Sequence, residues 1–462
     1  MTLDPGFAPL LDRARLHTDA WLRELDVRHV GATASRESLL AALRTPLRKD
    51  GDDALAVLDA LAAQAPAGAV ACGAPRYFGF VVGGSFPVAL AADWLVSAWD
   101  QNSGIHVLSP LTSAAEEVAA EWLLDLFGLP AGSGVGFVTG CQMANVTCLA
   151  AARHGVLRRV GWDVERDGLA GAPRVHVVAS AESHVTVDVA LRYLGFGTGG
   201  TKRVAADGQG RMRADDLARV LATCDGPTIV CAQAGNVNTG SFDPLESIGA
   251  LANAHGAWLH VDGAFGLWAR ASSTLSPLAR GIELADSWAT DAHKWLNVPY
   301  DCGVAIVRHA ADHRAAMTST AAYLVQTAGA ERDAVDCVPE FSRRSRGIPV
   351  YATLRALGRD GVAALVERCC AHARRFAGAL AAAPGVAVLN DVVLNQVLVR
   401  FDDDDERTRA VIAAVQRDGT CWLGGTTWQG RAAMRISVSN WATSEADVDA
   451  SVAAILRCHA SV

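Results

Sequence analysis

Ala257 Trp258 Leu259 His260 Val261 Asp262 Gly263 Ala264 is the stretch on which the reading of this chain turns. A short apolar run bounded by small residues suits a strand covered on both faces, as in a parallel sheet flanked by helices. The run ends on a carboxylate, which is costly in an apolar setting unless it finds a donor or a cation. Asp262 is therefore either the cap of a following helix or one pole of a ligand site beyond the strand end, where open α/β sheets bind their ligands.

Working outward, similar runs recur at residues 136–138, 174–178, 228–231 and 303–307, separated by helical patterns. From about 85 to 345 this alternation predicts one large α/β domain with a mostly parallel central sheet. Residues 1–84 read as an N-terminal helical arm with an irregular Gly- and Pro-containing end at residues 72–80. Residues 346–462 begin with helices and then give two strand-like runs, 395–401 and 433–439, which predict a smaller C-terminal α+β domain. The acidic run Asp402 Asp403 Asp404 Asp405 Glu406 directly follows a strand and reads as a solvated turn.

The 462 residues are too many for one compact core, so two or three domains are expected. Apolar residues make up 51% and charged residues 19%, an ordinary globular composition. The net charge of −8 with scattered basic residues argues against a nucleic-acid partner. No apolar run approaches the roughly 20 residues that span a bilayer, and Met1 to Pro5 lacks a secretion pattern, so a cytoplasmic protein with no membrane partner is expected. The 11 cysteines form no CxxC pair and the histidines no HExxH, so reduced thiols and no metal are expected.

Chemistry enters with Asp286 Ser287 Trp288 Ala289 Thr290 Asp291 Ala292 His293 Lys294 Trp295. With Asp262, Lys294 reads as the second pole of a pyridoxal phosphate site: the lysine carries the cofactor as a Schiff base and the aspartate pairs with the pyridinium nitrogen. Such a lysine must be neutral to react, and burial is expected to depress its pKa. The glycine turn Gly136 to Asn145 leaves backbone N–H groups at a helix start for a phosphate. His184, just past a strand end, is a candidate to stack on the ring, with a helix-start or core histidine as the alternative.

In this order the motifs resemble the group II pyridoxal-phosphate-dependent amino-acid decarboxylases, over roughly residues 70–450. The resemblance rests chiefly on His260 Val261 Asp262 Gly263 Ala264, on Asp291 Ala292 His293 Lys294 Trp295, and on the turn around Gly140. It implies the aspartate-aminotransferase fold (fold type I) and a homodimer with active sites at the interface. It further implies Lys294 as the Schiff-base residue, Asp262 as the pyridinium partner, His184 over one ring face and Ala264 under the other. Gly140, Cys141, Gln142 and His293 then surround the phosphate. Tyr323, in Ala321 Ala322 Tyr323 Leu324, falls where the family carries a catalytic tyrosine on a mobile loop. Gln142, Asp291 and Val237 depart from the family's usual residues, and Asp291 is expected to turn toward backbone donors or a basic group.

The activity so implied is decarboxylation of an L-amino acid. Tyr77, Phe80 and His106 are the substrate candidates, and their rings favour an aromatic substrate. Arg435 is either a substrate-carboxylate anchor or half of a structural ion pair. Three rivals remain: oxygen-dependent decarboxylation to an aldehyde, an aminotransferase or carbon–sulfur lyase on the same fold, and a catalytically silent scaffold. Retention of Lys294, Asp262, His184 and Tyr323 argues against the last.

Overall fold

The structure, a computed structural model, describes residues 6–318 and 331–462. Seven strands build the large sheet: β1 Gly134–Val138, β2 His176–Ser180, β3 Lys202–Val204, β4 Thr228–Gln233, β5 Trp258–Asp262, β6 Ser287–Asp291 and β7 Gly303–Val307. Their spatial order is β1-β7-β6-β5-β4-β2-β3. Only β7 runs against its neighbours, pairing antiparallel with β1 and β6, while the other pairs are parallel. The sheet is thus mostly parallel, in an α/β architecture. β4 to β7 are buried along their whole length, with Trp258 and Trp288 wholly enclosed. That burial is why these strands read as unbroken apolar runs rather than alternating ones.

A smaller antiparallel sheet is made of β8 Val386–Val388, β9 Gln396–Phe401, β10 Gly424–Trp428 and β11 Arg431–Ser437, in the order β10-β11-β9-β8. Four strands escaped the sequence reading. β3 and β8 are three residues each. β10 is Gly- and Thr-rich, and β6 carries the polar residues of the lysine motif. The acidic run is a turn and a helix start: Asp402 and Asp403 take positive φ, and the Asp404 carboxylate accepts the Arg407 N–H at 2.6 Å as the cap of helix Asp405–Asp418.

Three distant parts of the chain meet at the loop carrying Lys294. A Cβ on Gly83 would overlap the Lys294 carbonyl oxygen, so only glycine allows the N-terminal segment to lie on that loop. Beside it, the Phe86 N–H donates to the Asn297 carbonyl at 2.6 Å. Asn297, with φ of 56°, in turn donates its amide to the Ser439 carbonyl at 3.0 Å and accepts the Trp441 N–H at 2.8 Å.

One buried ion pair backs this arrangement. Arg343 and Glu116, 0% and 1% exposed in their side chains, are joined at 2.7 and 3.0 Å, and Arg343 also donates to the Phe137 and Ser103 carbonyls. Truncating Glu116 strands a guanidinium in the interior, so Glu116→Ala is expected to lower unfolding stability by about 3–5 kcal/mol. Denaturant titration followed by circular dichroism checks this.

Candidate active site

The register of the sheet assembles the site. β5 and β6 are parallel neighbours, with Asp262 opposite Ala289, so Asp262 and Asp291 end the two strands at the same edge. Across β7, Val138 of β1 pairs with Gly303, and the turn at Gly140 starts helix Cys141–Arg158 over that edge. A Cβ on Gly303 would overlap the Gly140 backbone, so the helix start lies directly on β7.

Asp291 is 2% exposed and organises the lysine end. Its Oδ1 accepts the Cys141 N–H at 2.6 Å, and its Oδ2 pairs with Lys294 Nζ at 2.7 Å. His293 accepts the Cys302 N–H on Nδ1 at 3.1 Å, which places its proton on Nε2, 3.4 Å from Asp291 Oδ1. Tyr300 stacks on His293 with ring centroids 4.3 Å apart. The departure at position 291 thus has a structural role, turned toward both a backbone donor and a basic group.

The electrostatics of Lys294 differ from the sequence expectation. Burial works against its charge, but Asp291, together with Cys141 and Asp262, more than offsets this and holds the ammonium above its ordinary pKa. The depressed lysine read from burial alone is therefore corrected, because a carboxylate three residues upstream folds back onto the same ammonium. His293 and His184 are pulled down by burial and are neutral imidazoles near pH 7.

Asp262 is 6% exposed. Its Oδ1 accepts the Cys141 S–H at 3.4 Å and the Ala264 N–H at 3.1 Å, and its Oδ2 accepts the Asn145 amide at 3.2 Å. Among the described residues no basic side chain forms an ion pair with it. A buried carboxylate served only by neutral donors suits a cationic N–H supplied from outside the chain, such as a pyridinium. The Ala264 bond closes the turn after β5, but the short helix Gly266–Ala271 has Phe265 at its N-cap and takes no side-chain cap, so the helix-capping alternative weighed for Asp262 is not formed.

His184 caps helix Val185–Tyr193: its Nδ1 accepts the Thr186 N–H at 3.4 Å and is hydrogen-bonded to Thr186 Oγ1 at 2.8 Å. Of the residues expected around a phosphate, Cys141 has its amide taken by Asp291, and Ala144 donates to Gly140 within the helix. The amides of exposed Gln142 and of Met143 remain as the open donors of this helix start. Lys294, Asp262, His184 and this helix start fit pyridoxal phosphate.

Among the substrate candidates, Tyr77 and Phe80 flank Trp422, which sequence reasoning missed, at 5.2 and 6.0 Å in near-parallel stacks. Arg435 donates to the Val237 carbonyl at 3.1 Å and has no carboxylate partner among the described residues, so the structural ion pair weighed for it is not formed. His106 is tied through its backbone to Asp333, and no hydrogen bond joins it to the Lys294 group among the described residues. Tyr323 lies outside the described residues. Also missed were Asn145, Thr186, Ser287 and Tyr300; His260, two residues before Asp262 on the same strand face, was the one available signal.

Comparison with known proteins bears on the family and the fold. The model of the pyridoxal-dependent decarboxylase conserved domain matches residues 39–402. The L-2,4-diaminobutyrate decarboxylase of Rhizobium meliloti (strain 1021) is 32% identical over 368 residues, covering 76% of this chain and 71% of that protein. The acidic amino acid decarboxylase of Mus musculus is 32% identical over 308 residues, covering 65% of this chain and 55% of its own length. The chain thus spans little more than half of that relative. In fold, the crystal structure of Oryza sativa TDC with PLP and tryptamine superposes with a TM-score of 0.92 at 22% identity, covering 100% of this chain and 99% of that one.

Proposed function

Because the chain belongs to the pyridoxal-dependent decarboxylase family, we propose that it removes the α-carboxylate of an L-amino acid with an aromatic side chain, using pyridoxal phosphate held at Lys294. The observation that carries the reading is buried Asp262, a carboxylate with neutral donors only, at the same sheet edge as Lys294. When bound, the cofactor supplies an electron sink conjugated to the substrate α-carbon.

The chain's residues divide the remaining work. Lys294 would anchor the cofactor through Nζ, and Asp291 holds the ammonium that Nζ forms whenever it is free. Asp262 accepts the ring N–H and keeps it protonated. The Gln142 and Met143 amides hold the phosphate. His184, neutral, offers its Nε2 at the face of the site. Tyr323 Oη delivers the proton that replaces the departing carboxylate, so that carbon dioxide and an amine are formed. The aromatic group Tyr77, Trp422 and Phe80 supports an aromatic side chain in the pocket. Among the described residues no helix is long and apolar enough to cross a membrane. Phe7, Leu11 and Leu16 stand exposed on the first helix at 82%, 59% and 60%, and support a second copy of this chain as the partner covering them.

Assaying carbon dioxide release across the proteinogenic amino acids tests the reading, with an aromatic acid as the expected preferred substrate. Release of keto acid without carbon dioxide, or of aldehyde and ammonia with oxygen uptake, overturns it. Arg435 favours one second reading, an acidic substrate whose side-chain carboxylate meets a guanidinium that has no carboxylate partner among the described residues. In that case Arg435→Met is expected to cut kcat/KM for acidic substrates by at least about thirtyfold and leave aromatic ones unchanged.

A further inference from the structure

Behind Asp262 lies a chain of hydrogen bonds whose direction is set at the carboxylate, which can only accept. The Trp258 indole N–H can only donate, and it donates to Ser287 Oγ at 2.9 Å. The Ser287 hydroxyl stands 2.9 Å from His260 Nδ1, on the residue paired with it across β5 and β6. His260 is 0% exposed and burial pulls its pKa down to about 4, so the ring is neutral and carries one proton. That proton sits on Nε2 and is given to Asn145 Oδ1 at 2.9 Å, because the Asn145 amide nitrogen is turned to the Asp262 carboxylate, and Ser287 then donates to Nδ1.

Asn145 is 0% exposed, and its orientation follows. Its amide nitrogen faces the acceptor-only Asp262 Oδ2 at 3.2 Å and Thr186 Oγ1 at 3.3 Å, so its carbonyl is left to accept from His260. Thr186 then donates its hydroxyl to His184 Nδ1 at 2.8 Å, the same atom that accepts the Thr186 N–H. The opposite polarity would turn the Asn145 carbonyl against the Asp262 carboxylate, which is repulsive at this buried position.

We propose that Asn145 is a positioning residue that sets the hydrogen-bond polarity at two cofactor-facing residues, keeping Asp262 an acceptor and, through Thr186, keeping the His184 proton on Nε2. The inference rests on the reading of Asp262 and Lys294 as the cofactor's partners. The other titratable groups acting on Asp262 among the described residues are Cys141, Cys148, Cys231, His184, His260 and Lys294, and of these only Cys141 hydrogen-bonds to it. Asn145 is thus the side chain that joins Asp262 to His184 by way of Thr186.

Two measurements test this on the full-length protein loaded with pyridoxal phosphate. In wild type, selective ¹⁵N-histidine NMR is expected to show His260 and His184 neutral with the proton on Nε2. A proton on Nδ1 of either ring overturns the inference without reference to any variant. Asn145→Leu is expected to raise the cofactor dissociation constant roughly tenfold to a hundredfold, the worth of one hydrogen bond to a charged acceptor, and to shift the visible absorbance of the bound cofactor. Ser287→Ala is expected to act in the same direction with a smaller effect. Wild-type affinity and spectrum in a folded Asn145→Leu protein overturn the inference and leave the proposed function standing. Failure of wild type to bind pyridoxal phosphate overturns both.

Discussion

Lys294→Ala protein is expected to be colourless after incubation with pyridoxal phosphate, to yield no borohydride-trapped adduct, and to lose activity on the order of ten-thousandfold. The size of the effect follows from geometry. Lys294 Nζ sits 2.7 Å from a carboxylate that is itself fixed by a backbone N–H, so the amine is held in one place before any ligand arrives. Alanine removes both the covalent anchor and the counter-charge of Asp291, and no second lysine lies in the sequence between Lys202 and Lys294 or after it. An absorbance near that of wild type would sink the assignment of Lys294.

The second large effect is expected at Asp262. Asp262→Ala should lower kcat by about a hundredfold to a thousandfold and weaken cofactor retention, because the group placed to hold a ring proton is lost from a water-poor site. Asp262→Asn keeps the volume and tests charge alone. It is expected to retain more cofactor than alanine and to show a similar loss in kcat, since an amide cannot serve as the charged acceptor. A loss in KM with kcat intact would assign Asp262 to substrate binding instead. Thermal unfolding of both variants separates this outcome from simple destabilisation.

Sequence reading reached the sheet where burial wrote a continuous apolar run, as in β4, β5 and β7. It failed where strands are too short or too polar to leave one, as in β3 and β6. Strand direction was also out of reach, because an antiparallel β7 inside a parallel sheet has the same apolar pattern as a parallel strand. Lys294, Asp262 and the Gly140 turn could be picked out because each is tied to a local motif. The behaviour of Lys294 could not, because burial and Asp291 act on it in opposite senses and only the fold shows which prevails. Asn145 was hidden for another reason: a polar residue in an apolar helix reads as an ordinary interruption until His260 and Asp262 are seen to converge on it.

The meeting of Gly83, Asn297 and Ser439 at the Lys294 loop has a consequence for biosynthesis. The anchor loop is braced by a segment made before it and by one made 142 to 144 residues after Asn297. A ribosome-bound chain that has passed Lys294 but not Trp441 therefore carries the reactive amine without its later support. Coenzyme capture is expected to mark chains extended past Trp441, and the bound molecule then adds its affinity to their stability by mass action. Protein made with too little vitamin B6 should accordingly be degraded faster than the same protein made in plenty.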